Sequence, residues 1–472
     1  MTSPFASDPI AFAAGASYRK YKASQDGNEA KTTPGEVGLD ASIMPFSGGY
    51  HVVEGFGEII APLASDRPFL ESLTFEAGLR YSRYSIDSEE GRSFGTTTYK
   101  MGGNWEPVMG LKLRGMYQHA VRAPNIYELF QPASAGFGNL QTDPCAGAAP
   151  LNNSALAAVC MAQGAPAGRL GSIVTPQAGE INTTISGNLD LSPETADSFT
   201  LGVVLQPLAV PGLTITADYF NIRIKDAIAS MSSFDAIEAC FGDVTDASAT
   251  NPACLAIRRN PNTGGLSGDQ SVTPGLALPL TNAGRLKTDG IDLNVTYRRD
   301  VGPGTLTLNF AGTWTSRSQF QSGPSAAVRE CVGYYSANCG TPAAPEVGSL
   351  QPEYVWNQRV SYNWDPVMLS LLWRHTSSMR YEPAAEASTG PAYAADGVDF
   401  GRIGAANYFD LTARVDVTEQ LQFTLAVQNL ADKTPPFVGS SIGSYFFNSG
   451  NTFPSTYDPL GRRFSAAVKM KF

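Results

Sequence analysis

Leu73-Thr-Phe-Glu-Ala-Gly-Leu-Arg-Tyr-Ser82 is the stretch that decides the fold. Leu73, Phe75, Ala77, Leu79 and Tyr81 alternate with Thr74, Glu76, Gly78, Arg80 and Ser82. A period of two is the signature of a strand with two unlike faces. The same alternation returns in Ile291–Arg298, in Phe409–Val417 and in the terminal Phe464–Phe472. No long segment carries the 3.6-residue period of a helix. Short helical turns are expected only inside loops, at Ser154–Met161 and Ser233–Phe241.

Outward from this stretch, the pattern predicts an all-β chain of about 14 strands. They are placed near 9–22, 49–63, 69–86, 93–107, 109–122, 192–207, 211–224, 285–300, 303–318, 352–364, 366–380, 404–417, 419–431 and 461–472. Short connections fall at Ala64–Pro68, Val108, Leu208–Val210, Val301–Gly302, Asp365 and Thr418. Long ones fall at 23–48, 123–191, 225–284, 319–351, 381–403 and 432–460, with a modest one at 87–92. The two kinds alternate strictly, so all long loops share one end. Tight turns at one end and long loops at the other are expected of an antiparallel up-and-down transmembrane β-barrel.

Composition points the same way. The chain has 472 residues, and a soluble domain rarely exceeds roughly 250–300. Charged residues are 16%, against roughly 25% in ordinary soluble proteins. No apolar run is long enough for a helical span. A net charge of −10 argues against a nucleic-acid partner. Aromatics near strand ends suit interfacial girdles, among them Tyr81, Tyr84, Trp105, Tyr219, Trp314, Trp356, Trp373 and Tyr408. Their other reading is ordinary β-propensity.

The six cysteines allow roughly 15 connectivities. They lie as Cys145/Cys160, Cys240/Cys254 and Cys331/Cys339, each pair in its own Gly-, Pro-, Asn- or Ser-rich stretch. Nearest-neighbour disulfides on the long-loop side are expected, in an oxidising compartment. Met1-Thr-Ser-Pro opens no signal peptide. Either the protein stays inside the cell or the chain has lost its beginning, and the cysteines favour the second.

Several motifs resemble the TonB-dependent outer-membrane receptors. They are Arg122-Ala-Pro-Asn-Ile-Tyr-Glu-Leu-Phe130, Val53-Glu-Gly-Phe-Gly-Glu58, Leu191-Ser-Pro-Glu-Thr-Ala-Asp-Ser-Phe-Thr-Leu-Gly202 and Thr288-Asp-Gly-Ile-Asp-Leu293. The ending is similar too: Asn429-Leu-Ala-Asp-Lys-Thr-Pro-Pro436, then Tyr457-Asp-Pro-Leu-Gly-Arg-Arg-Phe464, then Phe472. The resemblance covers nearly the whole of residues 1–472. It implies the C-terminal portion, resembling the last 14 strands of a barrel of about 22. The plug, the first strands, the export signal and the TonB box would lie ahead of it.

The resemblance implies a transport receptor in the outer membrane of a Gram-negative bacterium, not an enzyme. Its cargo would be a scarce nutrient such as a siderophore, cobalamin or an oligosaccharide. Outer-membrane lipid would surround it, and the assembly machinery would read the terminal Phe472. The TonB complex would act only through the missing N-terminal part. No cofactor is expected. Arg122, Pro124, Glu128, Asn429, Asp458, Gly461 and Arg462 would be structural residues at the loop bases. Among loop aromatics, Tyr334, Tyr335, Tyr381 and Tyr393 are candidate contacts for a small extracellular ligand. Gly439-Ser-Ser-Ile-Gly443 matches a hydrolase motif by letter only, with no strand–turn–helix around it. His51, His119 and His375 show no ligand spacing. A passive 14-stranded pore, a non-transporting remnant and a multi-domain soluble β protein are the alternatives.

Overall fold

The computed structural model describes residues 3, 5–26, 44–89, 91–140, 142–176, 179–323, 326–336, 339, 349–383, 400–438 and 452–471. Fourteen long strands follow one another in the sheet in the order of the chain. The first five are β1 Ala11–Gln25, β2 Phe46–Arg67, β3 Leu70–Ile86, β4 Ser93–Val108 and β5 Leu111–Arg122. Next come β6 Glu194–Leu205, β7 Leu213–Ala229, β8 Thr281–Val301 and β9 Gly304–Gln321. The last are β10 Tyr354–Trp364, β11 Val367–Thr376, β12 Ala406–Asp416, β13 Leu421–Gln428 and β14 Arg463–Met470. Every neighbouring pair on this path is antiparallel. The two-residue strand Arg329–Glu330 joins the side of β9 as a fifteenth.

The strand count and the alternation of turns and loops are as read from the sequence. The boundaries are not. β2 runs to 22 residues and β8 to 21, well past the expected limits. These strands keep pairing with their neighbours beyond the apolar band, so hydrophobic alternation stops before the ladder does.

Register fixes the two faces. Glu54 lies opposite both Ser17 and Ser82, and its carboxylate bonds to both hydroxyls, so these residues share the polar face. Leu79, Tyr81, Met101, Leu201 and Leu425 lie on the other face and are exposed. Polar side chains inward and apolar side chains outward is the pattern of a barrel in lipid.

On the outward face the rings of Phe310, Trp356, Trp373 and Phe409 form a row across β9 to β12. Successive centroids stand 5.8, 4.2 and 5.7 Å apart. Two girdle candidates belong elsewhere. Tyr84 stacks on Phe94 on the inner face. Tyr408 points inward, under the Arg374 guanidinium, 5.1 Å from its ring centre. Alternation alone does not separate them, because aromatic residues suit both faces near the rim.

The long loops carry structure of their own. Ser134–Asn139, Glu180–Ser186, Gly275–Pro279 and Ile257–Arg258 form one four-stranded sheet drawn from two different loops. The expected helical turns are present as helices Ser154–Ala162 and Ser233–Phe241. Both loops contribute to one core containing Val159, Ile181, Ile257 and Leu276. Together they form a small outer module seated on the sheet.

Candidate functional site

The inner face comes first, since any solute passing the sheet meets it. Alternation brings Arg19, Glu54, Arg80, Tyr84, Thr98 and Lys100 around a cavity of about 420 Å³. Glu54 is buried, accepts from Ser82 at 2.8 Å and Ser17 at 3.1 Å, and pairs with Arg19. Further round, Arg114 forms a bidentate pair with Asp218 at 2.8 and 2.6 Å. Gly202 lies between them in register. A Cβ there would stand 2.0 Å from the Asp218 Oδ1, so the ion pair requires a residue with no side chain. Arg374 pairs with Asp410 in the same way at 3.0 and 3.2 Å. The lining is therefore hydrophilic and largely charge-compensated. It suits water or a polar occupant.

At the end of β5 the sequence motif becomes a clasp. Pro124 cannot extend the ladder, because it has no amide hydrogen. Asn125 then caps the short helix Ile126–Phe130, and Glu128 returns its carboxylate to the Asn125 amide at 2.8 Å. This reciprocal capping box satisfies two otherwise orphan donors. Arg122 donates to Glu128 at 3.0 Å and to Glu194 at 2.6 and 3.2 Å. Glu194 belongs to the Leu191–Gly202 segment, so two distant motifs meet as one ion-pair cluster. Glu194 was not among the sequence candidates. Its spacing from Arg122 carries no signal without the register of β5 on β6.

The last long loop is clasped similarly. Asn429 is fully buried with φ 51°, and its side chain makes two bonds to the Lys433 backbone at 2.8 and 2.9 Å. Asp458 accepts from Arg463 at 2.9 Å and from the Leu460 amide at 3.0 Å. Arg462 donates from its backbone to Asp432 at 2.8 Å and from its guanidinium to the Leu430 carbonyl at 3.0 Å. Gly461 has φ 70°, a conformation that glycine adopts without strain. Phe472 lies outside the described residues.

The outer module is held by two buried features. Disulfides join Cys145 to Cys160 and Cys240 to Cys254. Arg259, fully buried, forms a fork-to-fork pair with Asp143 at 2.6 and 2.7 Å and donates to Gln163 at 2.7 Å. This pair ties the loop before β6 to the loop before β8. A second buried pair, Arg329 with Asp235 at 2.5 and 2.9 Å, ties the latter loop to the one after β9. In that loop Cys331 bonds to Cys339 beside Phe320.

Three of the four candidate ligand aromatics, Tyr334, Tyr335 and Tyr381, lie on two short paired strands, Tyr334–Ser336 and Met379–Tyr381. Tyr335 and Tyr381 are buried and stack at 5.4 Å in a cluster with Met379, Phe453 and Tyr457. Contact between these two rings and a ligand would require the cluster to open. Tyr334 is half-buried, and Tyr393 lies outside the described residues. Burial pushes the Tyr457 phenol well above its usual range. In the outer module, Ser271 holds the Asp269 carboxyl below its ordinary value through side-chain and backbone hydrogen bonds. Among the described residues no three His, Cys, Asp or Glu side chains group to hold a metal. The Gly439–Gly443 stretch lies outside the described residues.

Comparison with known proteins gives a consistent picture. A family model described as TonB dependent receptor-like, beta-barrel, matches residues 5–430. The FrpB iron transporter from Neisseria meningitidis is similar in fold, with a TM-score of 0.54 at 14% identity, over 98% of this chain and 52% of that one. The ferric enterobactin receptor from Pseudomonas aeruginosa, solved with enterobactin, has a TM-score of 0.52 at 13% identity, over 98% and 60%. The chain thus spans between half and three-fifths of the length of these two structures. No curated protein sequence matches it.

Proposed function

The chain belongs to the TonB-dependent receptor family, and from that premise we propose that it is the barrel portion of an outer-membrane receptor for energised nutrient uptake. Residues 1–472 would form the C-terminal part of the barrel, with the long loops outside the cell. Cargo would be a small molecule such as a siderophore, cobalamin or an oligosaccharide. Energy would reach it through a plug and a TonB box supplied by a preceding part of the full receptor. The terminal Phe472 would be the signal read by the assembly machinery.

One observation carries this reading. Two of the long loops, the one before β6 and the one before β8, are built into a shaped, disulfide-tied module, while the sheet beneath has a hydrophilic inner face. A rigid outer surface above a polar lining is what capture followed by passage requires. The same lining also suits a passive pore, which is the second reading.

Two measurements separate them. Cells carrying the full receptor gene, and cells deleted for it, are tested for binding and uptake of ferric chelates, cobalamin and oligosaccharides, with and without a protonophore. Surface binding that survives the protonophore, with uptake that does not, is the expected result. The purified chain is then placed in a planar bilayer. Steady conductance with no surface binding of any cargo would overturn the receptor reading in favour of the pore.

A further inference from the structure

On the outward face, β7 and β8 place two cations side by side. Arg223 and Lys287 are direct partners in the antiparallel register. Directly opposed residues stand only about 5 Å apart at Cβ, and like charges there are destabilising. Lys225 follows Arg223 on the same face. The nearby carboxylates are otherwise engaged. Asp289 is held by Arg317 at 3.4 Å and Ser316 at 2.5 Å. Asp197, the direct register partner of Arg223 on β6, is held by His119 at 2.8 Å and Lys225 at 3.8 Å. Glu330 accepts the Ser318 and Val332 amides at 2.8 and 3.2 Å. Among the described residues, no carboxylate forms an ion pair with Arg223 or Lys287.

Beyond Asp289, toward the apolar band and across β8 to β10, lies a groove of about 430 Å³. Its walls are Ile291, Leu293, Phe310, Trp314 and Trp356, with Gly312 at its floor. A Cβ on Gly312 would stand 2.8 Å from the Trp356 Cβ and 2.9 Å from the Phe310 ring, so glycine lets the aromatic walls approach. Lys287 and Ile291 are four residues apart on β8, about 13 Å along the strand. A negative group at Arg223 and Lys287 can therefore belong to the same molecule as an apolar chain in the groove.

We propose that this outward site binds one phosphorylated lipid of the surrounding leaflet. Arg223 and Lys287 hold its phosphate, and the Gly312 groove takes an acyl chain. The anion offsets the repulsion between two cations that the register forces together. A soluble anion would satisfy the cations but leave the groove unexplained. The inference rests on the membrane reading above, because it takes the apolar face to meet lipid.

The test uses the full chain purified in detergent, with bound lipid counted by native mass spectrometry. The probes are a phosphorylated glycolipid, the same lipid after phosphatase treatment, and inorganic phosphate. The wild-type chain should retain the phosphorylated lipid roughly tenfold better than the treated one, the scale of a lost charge-assisted bond. Arg223→Gln with Lys287→Gln should remove that preference. Leu293→Trp, which fills the groove, should weaken retention of both lipids equally. Heat-modifiable gel mobility reports whether each variant is folded. Equal retention of both lipids by the wild-type chain would overturn the proposal without needing any variant. So would inorganic phosphate binding as tightly as the lipid. A folded, detergent-requiring chain with no lipid preference sinks this inference alone. A chain soluble without detergent sinks the membrane reading with it.

Discussion

Asp143→Asn takes the countercharge from Arg259 while keeping the size of the side chain. Both side chains of the pair are fully buried, and the carboxylate meets the guanidinium at 2.6 and 2.7 Å. After the change, Arg259 retains only neutral acceptors, Gln163 Oε1 at 2.7 Å and the Gly264 carbonyl at 3.1 Å. Breaking one side of a buried ion pair costs about 3–5 kcal/mol, because the remaining charge stays out of water. The Cys145–Cys160 disulfide still joins its own loop, so the cost falls on the packing between the two loops. At about 1.4 kcal/mol per tenfold, opening of the module becomes roughly 10²–10⁴ times more populated. Hydrogen exchange of the Arg259 amide, which donates to the Gln163 carbonyl at 2.8 Å, reads that opening directly. Asp143→Leu with Arg259→Met removes both charges, and such replacements are often neutral. Its exchange rate should lie far closer to wild type. An increase below about tenfold for Asp143→Asn would refute the reasoning. So would a double variant that opens as readily as the single one.

Removing the Cys145–Cys160 disulfide, which closes a separation of 15, should cost the outer module about 3 kcal/mol by loop entropy; protease resistance of intact cells' surface loops checks it. Gly202→Ala should destabilise the folded sheet by roughly 1–3 kcal/mol by displacing the Arg114–Asp218 pair. Gly78→Ala, whose added Cβ meets the flexible end of Lys100 at 3.1 Å, should cost much less, and equal heat-modifiability midpoints for the two would contradict this. Tyr457 carries a buried hydroxyl that has no hydrogen-bond partner among the described residues, and its phenol holds its proton more tightly when folded. Its stabilising effect is therefore complete below the unfolded value of about 10 and is lost as pH rises through the elevated folded value. Protease resistance of the last long loop should fall on the alkaline side in the wild type, and Tyr457→Phe should flatten that fall. Arg122→Lys keeps one charge but loses the fork that spans Glu128 and Glu194. It should lower the unfolding midpoint by the equivalent of about 1 kcal/mol, discounted because the guanidinium is half exposed.

The strands were legible because lipid and lumen impose opposite demands on successive residues. Leu73–Ser82 states both faces in ten letters, whereas the tight turn at Gly110, with φ 86°, falls inside the strand expected at 109–122. The nearest-neighbour cysteine pairs were legible from their separate Gly- and Pro-rich stretches. The clasp at Arg122 was half legible: Glu128 lies within the motif, whereas Glu194 is 72 residues away. Tyr335 and Tyr381 illustrate the opposite failure. A loop aromatic reads as exposed, yet these two fill a buried cluster assembled from three loops.

Period, turn spacing and composition by themselves determined an antiparallel sheet of fourteen long strands with one apolar and one polar face, because each strand's two faces are a local property of the chain. The joining of two loops into one module through Arg259 and Asp143, the pairing of Arg114 with Asp218 across Gly202, and the opposition of Arg223 to Lys287 were decided only by the tertiary structure. Each depends on which residues the register sets side by side, and a period of two is unchanged when one strand slides by two residues against the next.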